Sequence, residues 1–343
     1  MTEAEFHNKV IWMTFILSIL VVMIHSYNLD LFITAGDGAF AEAVAAIQSL
    51  VSKAVPTIAV PGFFMVSAYL FYRNASKTKI LPKMLRRVKS VLVPYIAWNT
   101  LYYVCFSLVG RFPVLWDFIG RKEVAFTIEG WADAILNFTY NPVLWYLKQL
   151  IILIALAPLI YAVMSRLRLG ALVLVSLLAI IAKGTIIPIL NLDALLYYSV
   201  GAYLAMHGRK LVERKDGADR RIAIALMGLL ICIGLYKGSI RYSSVLMTVL
   251  YGLTFPMVIW LALPGELPEA KSYMKFSLFL YSFHFVPVRG LNKIGSLILP
   301  HNAWSALLLY LALPVVVVAI TWVVAEFLKK KIPPLWSLLS GGR

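Results

Sequence analysis

Charged residues are scarce in this chain of 343 residues. They make up 14% of the sequence, whereas hydrophobic residues make up 61% and the mean hydropathy is +0.83. A soluble protein of this length could not bury so much apolar surface in its core. The composition therefore excludes an ordinary soluble domain and indicates an integral membrane protein.

Cysteine and histidine are also rare. The chain has two cysteines, Cys105 and Cys232, which lie far apart without metal-ligand spacing, and its five histidines form no HExxH arrangement. These counts exclude a disulfide framework and argue against a zinc site, so no metal is expected. Both cysteines fall in apolar segments, and we expect them to be packing residues of the core.

Long apolar runs dominate the sequence instead. A run of about 20 residues with few charges is the length that an α-helix needs to cross a bilayer. By this criterion the chain is an all-α polytopic membrane protein with about ten transmembrane helices, and residues 1–343 form a single integral-membrane domain. The predicted spans are 10–27, 54–72, 91–110, 143–164, 169–187, 194–206, 222–236, 243–262, 276–294 and 304–327.

The charge is uneven in sign as well as small in amount. The chain has 32 Lys and Arg against 16 Asp and Glu, a net charge of +16. With both termini in the cytoplasm, 22 of the 32 basic residues fall on the cytoplasmic side, as the positive-inside rule requires. Topology and contact with anionic membrane lipids explain this charge without nucleic-acid binding. We predict a multi-pass protein of the bacterial inner membrane.

Three of the predicted spans carry polar residues on one helical face. These stripes are Thr14, Ser18 and His25 on the first span, Trp145, Lys148 and Gln149 on the fourth, and Ser277, Tyr281 and His284 on the ninth. Ionisable groups are costly inside a bilayer unless they face the protein interior. We therefore expect the helices to surround a shared polar cavity. Interhelical hydrogen bonding for assembly is the alternative, and it explains Lys148 least well.

The loop between the second and third spans is strongly basic and contains no acid. Its cations are Arg73, Lys77, Lys79, Lys83, Arg86, Arg87 and Lys89. A cytoplasmic loop that contacts lipid headgroups explains such a segment. The spacing Lys83-x-x-Arg86-x-x-Lys89 would also place three cations on one helical face, which is typical of a dock for a phosphate-rich cytosolic ligand.

Four sequence blocks follow one another along the chain. They are Leu20-Val-Val-Met-Ile-His25-Ser, Val60-Pro-Gly-Phe-Phe-Met-Val-Ser-Ala-Tyr-Leu-Phe71, Leu144-Trp-Tyr-Leu-Lys-Gln-Leu-Ile151 and Leu280-Tyr-Ser-Phe-His284. In order, they resemble the first-helix histidine motif, the Pro-x-Phe-Phe-x-x-Ser-Gly-Tyr-Leu block, the Leu-Trp-Tyr-Leu-Arg-Asp-Leu-Ile block and the Ile-Tyr-x-x-His element of the integral-membrane acyltransferase type 3 family. That family includes surface-polysaccharide O-acetyltransferases.

The chain departs from the pattern of that family at several positions. Arg, Gly, Arg and Asp commonly stand in family members at the positions of Thr14, Ala68, Lys148 and Gln149. The family's Arg-x-x-Arg motif is Arg86-x-x-Lys89 here. Either Lys9 or Lys148 could replace the charge of the Arg that is missing at position 14, or the chain could be an inactive relative.

The resemblance implies transfer of an acetyl or other short acyl group from cytosolic acyl-CoA, such as acetyl-CoA, to a hydroxyl of a cell-surface glycan or lipid-linked sugar. His25 is the expected general base, because a neutral imidazole can accept the proton of the attacking hydroxyl. A covalent acyl-histidine is the open alternative. Lys148 or nearby hydroxyl donors would stabilise the oxyanion, and His284 is a second candidate for relaying protons.

The remaining candidate residues are contacts to the two substrates. Acyl-CoA would bind Arg86, Arg87 and Lys89, and the substrate would contact Ser67, Trp145 and Tyr281. A transporter or flippase for a lipid-linked sugar is the competing function, because intramembrane His and Lys residues also mark substrate and proton pathways. The lack of inverted repeats and of intramembrane acids other than Glu326 favours the enzyme.

Overall fold

We describe a computed structural model of the chain over residues 1–33, 38–53, 55–215, 219–239 and 245–342. Within these ranges the fold is all-helical and contains no β-strand. The helices are α1 Glu3–His25, α2 Gly38–Lys53, α3 Ala59–Tyr72, α4 Lys77–Arg87, α5 Val93–Val109, α6 Trp116–Ile119, α7 Ile128–Asn137, α8 Trp145–Ala155, α9 Ala157–Met164, α10 Leu167–Ala182, α11 Leu192–His207, α12 Arg209–Val212, α13 Asp219–Ser239, α14 Val245–Ala262, α15 Ser277–Phe283, α16 Phe285–Ile298, α17 Ala303–Lys331 and α18 Pro333–Ser340.

Several of these helices are long and apolar enough to cross a membrane. Within the described ranges, four segments qualify by length and composition: Glu3–Leu31, Lys77–Val109, Val245–Ala262 and Ala303–Lys331. The pair α8 and α9 adds a fifth if it is one span bent by 64°. All ten predicted segments are helical over most of their length, but α3 and α10 have only 14 and 16 residues. The all-α membrane architecture is confirmed, whereas the ten spans and the side of the termini stay predictions.

Two prolines interrupt helices in the interior. Pro158 and Pro287 lie just after the starts of α9 and α16. A proline offers no N–H to the carbonyl four residues earlier, and its ring clashes with that carbonyl. Each helix therefore breaks before its proline, between α8 and α9 and between α15 and α16. Such a break releases backbone carbonyls, which need other donors in an apolar interior.

Helix α3 lies at the centre of the core, where it contacts α1 and α11. Glycines let these backbones approach closely, as is common between membrane helices. A Cβ at Gly201 of α11 would overlap the backbone carbonyl of Met65, and a Cβ at Gly62 would lie 2.8 Å from the Leu17 side chain of α1. This packing holds α1, which ends at His25, against the centre of the protein.

Both cysteines lie on the surface of the helix bundle. Cys105 of α5 and Cys232 of α13 are exposed. The prediction that they pack in the core is therefore wrong. Lipid tails are as apolar as a protein core, so the hydropathy of a membrane helix does not tell which of its faces is buried.

An ion-pair cluster joins three helical segments at the face of the bundle where the chain begins, named here the N-terminal face. Arg73 donates to both carboxylate oxygens of Glu213, from Nε at 2.7 Å and from Nη2 at 3.0 Å, and also to Glu3. Glu213 accepts from the Tyr69 hydroxyl and from Arg209 as well. Partial burial raises the pKa of Glu213, but these donors outweigh it and lower the pKa to about 2.

We expect the Glu213 cluster to stabilise the fold in a pH-dependent way. A carboxyl whose pKa falls on folding stabilises the native state above its ordinary pKa near 4.5, and this stabilisation is lost as the pH falls toward 2. Glu213→Gln should lower the thermal unfolding midpoint at pH 7 by about 2–4 °C. The difference from the parent protein should shrink below pH 4.5, as followed by tryptophan fluorescence in detergent.

A matched control is Glu269→Gln, since Glu269 is exposed and lies 3.7 Å from Lys275. An exposed pair of this kind contributes little to stability. A midpoint difference for Glu213→Gln that is the same at pH 3 and pH 7 would contradict the expected linkage.

Candidate functional site

Two histidines that are distant in the sequence meet inside the helix bundle. His25 ends α1, and His284 lies at the break between α15 and α16. Their ring centroids are 5.3 Å apart, with an angle of 38° between the ring planes. The ring of Phe285 packs edge-on against His25 with centroids 5.3 Å apart. The polar stripes of the first and ninth predicted spans are thus brought together.

The two ring nitrogens of His284 have different surroundings in a fully buried side chain. Nδ1 lies 2.7 Å from the carbonyl oxygen of Tyr281 and 3.2 Å from that of Leu280. Because a carbonyl oxygen can only accept, Nδ1 carries the proton and donates it. In the neutral imidazole Nε2 is then the unprotonated nitrogen, and it is buried without a hydrogen-bond partner in the described part of the chain. His284 thus keeps its Nδ1 on backbone carbonyls and leaves Nε2 unpartnered, beside the ring of His25.

Pro287 explains the helix break that creates this arrangement. It offers no N–H to the carbonyl of Phe283. The neighbouring carbonyl of Ser282 accepts from Asn141 Nδ2 at 2.9 Å and from the Tyr102 hydroxyl at 3.0 Å, and Tyr102 lies 3.4 Å from the Phe283 carbonyl oxygen. Side chains from α5 and from the segment before α8 therefore supply donors at the break.

His25 lines a cavity of about 450 Å³, named here the His25 cavity. Other polar side chains around it are those of Thr57, Trp145, Asn191, Asp193, Tyr197 and Tyr281. The helical rise places His25 roughly 33 Å from Glu3, far from the N-terminal face. The His25 ring is half-buried and makes no hydrogen bond to any described residue. Such an imidazole is placed to accept a proton from a molecule bound in the cavity.

A second cavity of about 310 Å³, named here the Arg87 cavity, is separate from the first. Its polar lining residues are Thr14, Ser67, Arg87, Ser90, Tyr146, Ser277 and Tyr281. The hydroxyls of Ser67 and Tyr146 lie 3.1 Å apart. Tyr281 lines both cavities, and its hydroxyl donates to the Val143 carbonyl. The two cavities therefore meet at one tyrosine.

The residues predicted to bind acyl-CoA fall into two groups. Arg87 lines the Arg87 cavity, whereas Arg86 and Lys89 are exposed and do not line it. Lys83 donates to two carbonyls at the end of α3, each at 2.7 Å. The spacing of the basic segment therefore does not direct three cations at one site, because one caps a helix and two face outward.

Thr14 also lines the Arg87 cavity, but it uses its hydroxyl within its own helix, where it donates to a backbone carbonyl at 3.0 Å. Neither Lys9 nor Lys148, the two residues proposed to replace the Arg missing at position 14, lies in this cavity. Lys9 donates to the Leu263 carbonyl at 2.9 Å, and Lys148 lines a different cavity. Among the described lining residues, Arg87 is the cation beside Thr14.

Lys148 lines a third cavity of about 540 Å³, named here the Lys148 cavity. It adjoins the His25 cavity and shares Trp145, Asn191 and Asp193 with it. The Lys148 ammonium donates to the Leu136 carbonyl at the end of α7, at 2.7 Å. The single cavity expected for three polar stripes is therefore divided, with Lys148 beside the histidine pair rather than in the same cavity.

A buried network of side-chain amides lies near His25 and was not predicted from the sequence. Asn28 donates to Asn292 at 3.1 Å, and Gln48 donates to Asn28 at 2.9 Å and to the Ala306 carbonyl at 3.2 Å. The backbone N–H of Asn28 donates to Gln48 in return. The network ties the end of α1 to α2, α16 and α17. The predicted spans 10–27 and 54–72 leave residues 28–53 outside the membrane segments, and the lone amide of Gln48 in an apolar run was the available signal of burial.

The chain resembles known proteins over most of its length. Residues 8–326 match the acyltransferase type 3 family, described as an acyltransferase domain. The chain is also 26% identical over 190 residues to the succinoglycan biosynthesis protein ExoH of Rhizobium meliloti (strain 1021), which covers 52% of this chain and 49% of that protein. The chain thus matches about half the length of this curated relative. No solved structure matches the chain.

We expect Gln48→Leu to destabilise the protein although it nearly preserves side-chain volume. It leaves the Asn28 side-chain oxygen and the Asn28 backbone N–H without their Gln48 partner in a buried site, which costs about 2 kcal/mol or more of unfolding free energy. The thermal unfolding midpoint in detergent would fall accordingly. Asn137→Leu is the control, because Asn137 is exposed and makes one bond, to Asp133. Equal midpoints for the two variants would count against the network.

Proposed function

Because the chain belongs to the acyltransferase type 3 family, we propose that it transfers an acetyl or other short acyl group from cytosolic acyl-CoA to a hydroxyl of a cell-surface glycan or lipid-linked sugar. The observation that carries this proposal is the meeting of two cavities at Tyr281. One cavity contains Arg87 and hydroxyl side chains, and the other contains His25. A donor and an acceptor that enter separate cavities would meet between them.

We propose a topology of ten spans with both termini in the cytoplasm of the bacterial inner membrane. The basic residues then lie mainly on the cytoplasmic side. The N-terminal face is cytoplasmic in this arrangement, and His25 lies toward the outer face. Acyl-CoA would approach through the Arg87 cavity, where a guanidinium suits the phosphates or carbonyls of the donor. The acceptor would enter the His25 cavity from outside.

The histidine pair supplies the proton chemistry of the proposed reaction. His25 removes the proton of the acceptor hydroxyl while its oxygen bonds to the acyl carbon. The carbon–sulfur bond of the thioester breaks, and the proton passes to the CoA thiolate. His284 offers its unprotonated Nε2 to a proton on His25, because its own Nδ1 proton is held by backbone carbonyls. Ring reorientation would let the proton move between the two imidazoles.

The thioester oxygen gains negative charge in the transition state and needs a hydrogen-bond donor. We propose the Ser67 hydroxyl for this role, because it lines the Arg87 cavity. Lys148 would act on the acceptor side instead. One of its three N–H donors is used by the Leu136 carbonyl, which leaves two for hydroxyl oxygens in the Lys148 cavity.

We expect His25→Ala to abolish acyl transfer without loss of protein. A general base contributes about 10²–10⁴-fold to a rate, and this side chain makes no hydrogen bond within the described protein. Mass spectrometry of surface glycans and glycolipids from cells with the parent protein, the variant and no protein would measure the added acyl mass. The control is His301→Ala, since His301 is an exposed histidine.

Full acylation by His25→Ala at normal protein abundance would remove His25 from the mechanism. If deletion of the protein removed the whole glycan instead of its acyl groups, the result would contradict acyl transfer and identify a transporter of the sugar.

We expect Arg87→Gln to weaken binding of CoA by about tenfold, because a charge-assisted hydrogen bond is lost. Arg86→Gln is the matched control, because the neighbouring Arg86 carries the same charge but is exposed outside the cavity. Calorimetry with CoA and the purified protein in detergent, at two salt concentrations, measures both. Equal losses of CoA affinity for the two variants would indicate that Arg87 contributes only to membrane topology.

A further inference from the structure

Asp193 is an acidic residue in the wall between the His25 and Lys148 cavities. It lies in the first turn of α11, lines both cavities and is half-buried. Its carboxylate forms no ion pair or hydrogen bond with the part of the chain that the structure describes. A carboxylate is costly to bury without donors. The site therefore suits a ligand that brings hydrogen-bond donors.

Trp145 lines the same two cavities as Asp193. Its side chain is half-buried, and its indole N–H donates to no described residue. An indole offers an apolar face and one polar edge. A carboxylate that accepts hydrogen bonds thus lies with an aromatic face that excludes water in the wall of the His25 cavity.

The backbone that carries Asp193 is held in an unusual conformation. Ile189 has φ +73°, in the left-handed region that a β-branched residue rarely adopts. Gln149 clamps this segment with both ends of its amide, as Nε2 donates to the Ile189 carbonyl at 2.8 Å and Oε1 accepts from the Asn191 N–H at 3.0 Å. Backbone strain of this kind persists where the surroundings enforce it. Gln149 is thus a positioning residue for the start of α11.

We propose that Asp193 and Trp145 bind one sugar ring of the acceptor, so that a hydroxyl of the acceptor is presented to His25. Neighbouring hydroxyls of a sugar donate to the two carboxylate oxygens, and the carbon-bound hydrogens of the ring pack on the indole face. The cavity volumes, about 450 and 540 Å³, lie within the range of small-molecule sites. A cationic ligand fits less well, because the Lys148 ammonium lines the same space.

This subsite rests on the proposed function, and a binding measurement tests it apart from catalysis. Saturation-transfer NMR would record binding of methyl glucoside and methyl galactoside to the purified protein in nanodiscs. Asp193→Ala should weaken binding by about tenfold or more, because both carboxylate oxygens are removed. Asp193→Asn should lose less, since one oxygen acceptor remains, and Trp145→Leu should also weaken binding.

Two control variants separate the subsite from general damage. Glu129→Gln changes an exposed acid, and Trp304→Leu changes a tryptophan that is 61% exposed on α17. Both should bind the sugars as the parent protein does. Unfolding midpoints of all variants would show whether the fold is retained, and Asp193→Asn, the nearest in shape, tests the carboxylate if Asp193→Ala does not fold.

The outcomes distinguish the subsite from the reaction. Loss of sugar binding confined to the Asp193 and Trp145 variants supports the subsite, even if the protein transfers no acyl group, in which case the proposed function fails alone. If the parent protein acylates cell glycans but binds neither sugar, or binds them equally well after both substitutions, the subsite is overturned.

Discussion

The requirement that buried backbone carbonyls find donors governs this structure. In an apolar interior an unsatisfied carbonyl costs several kcal/mol. Pro287 removes one donor from its helix, and Asn141 and Tyr102 supply donors to the Ser282 and Phe283 carbonyls beside the break. The break ends one helix at the residue before His284. The position of the buried His284 thus depends on a backbone defect and on the side chains that satisfy it.

The same requirement accounts for several lysines of the chain. The ammonium groups of Lys9, Lys83 and Lys148 donate to backbone carbonyls at or beside the ends of α14, α3 and α7. A cation near the end of a helix also interacts favourably with the helix dipole. Intramembrane or membrane-edge lysines therefore do not by themselves indicate a catalytic charge. Arg87 differs from these lysines, because it lines a cavity beside Thr14 and Ser67.

The interior is divided into cavities, so His25, Arg87 and Lys148 each have different polar neighbours. The His25 and Arg87 cavities share Tyr281, and the His25 and Lys148 cavities share Trp145, Asn191 and Asp193. This arrangement suits a reaction with two substrates that enter from opposite sides. The sugar subsite that we propose would give a role to Asp193 of α11, an acid that is costly to bury without donors.

The sequence by itself determined the membrane class, the helical segments and the motifs of the histidine pair, because apolar run length and polar periodicity are properties of a single helix. Only the tertiary structure decided that His25 contacts His284, that Lys148 lies in a neighbouring cavity, and that Cys105 faces outward. Contacts between helices depend on their rotation and on close approaches such as Gly201 against Met65. In a bilayer both faces of a helix are apolar, so the pattern of one span cannot specify its neighbours.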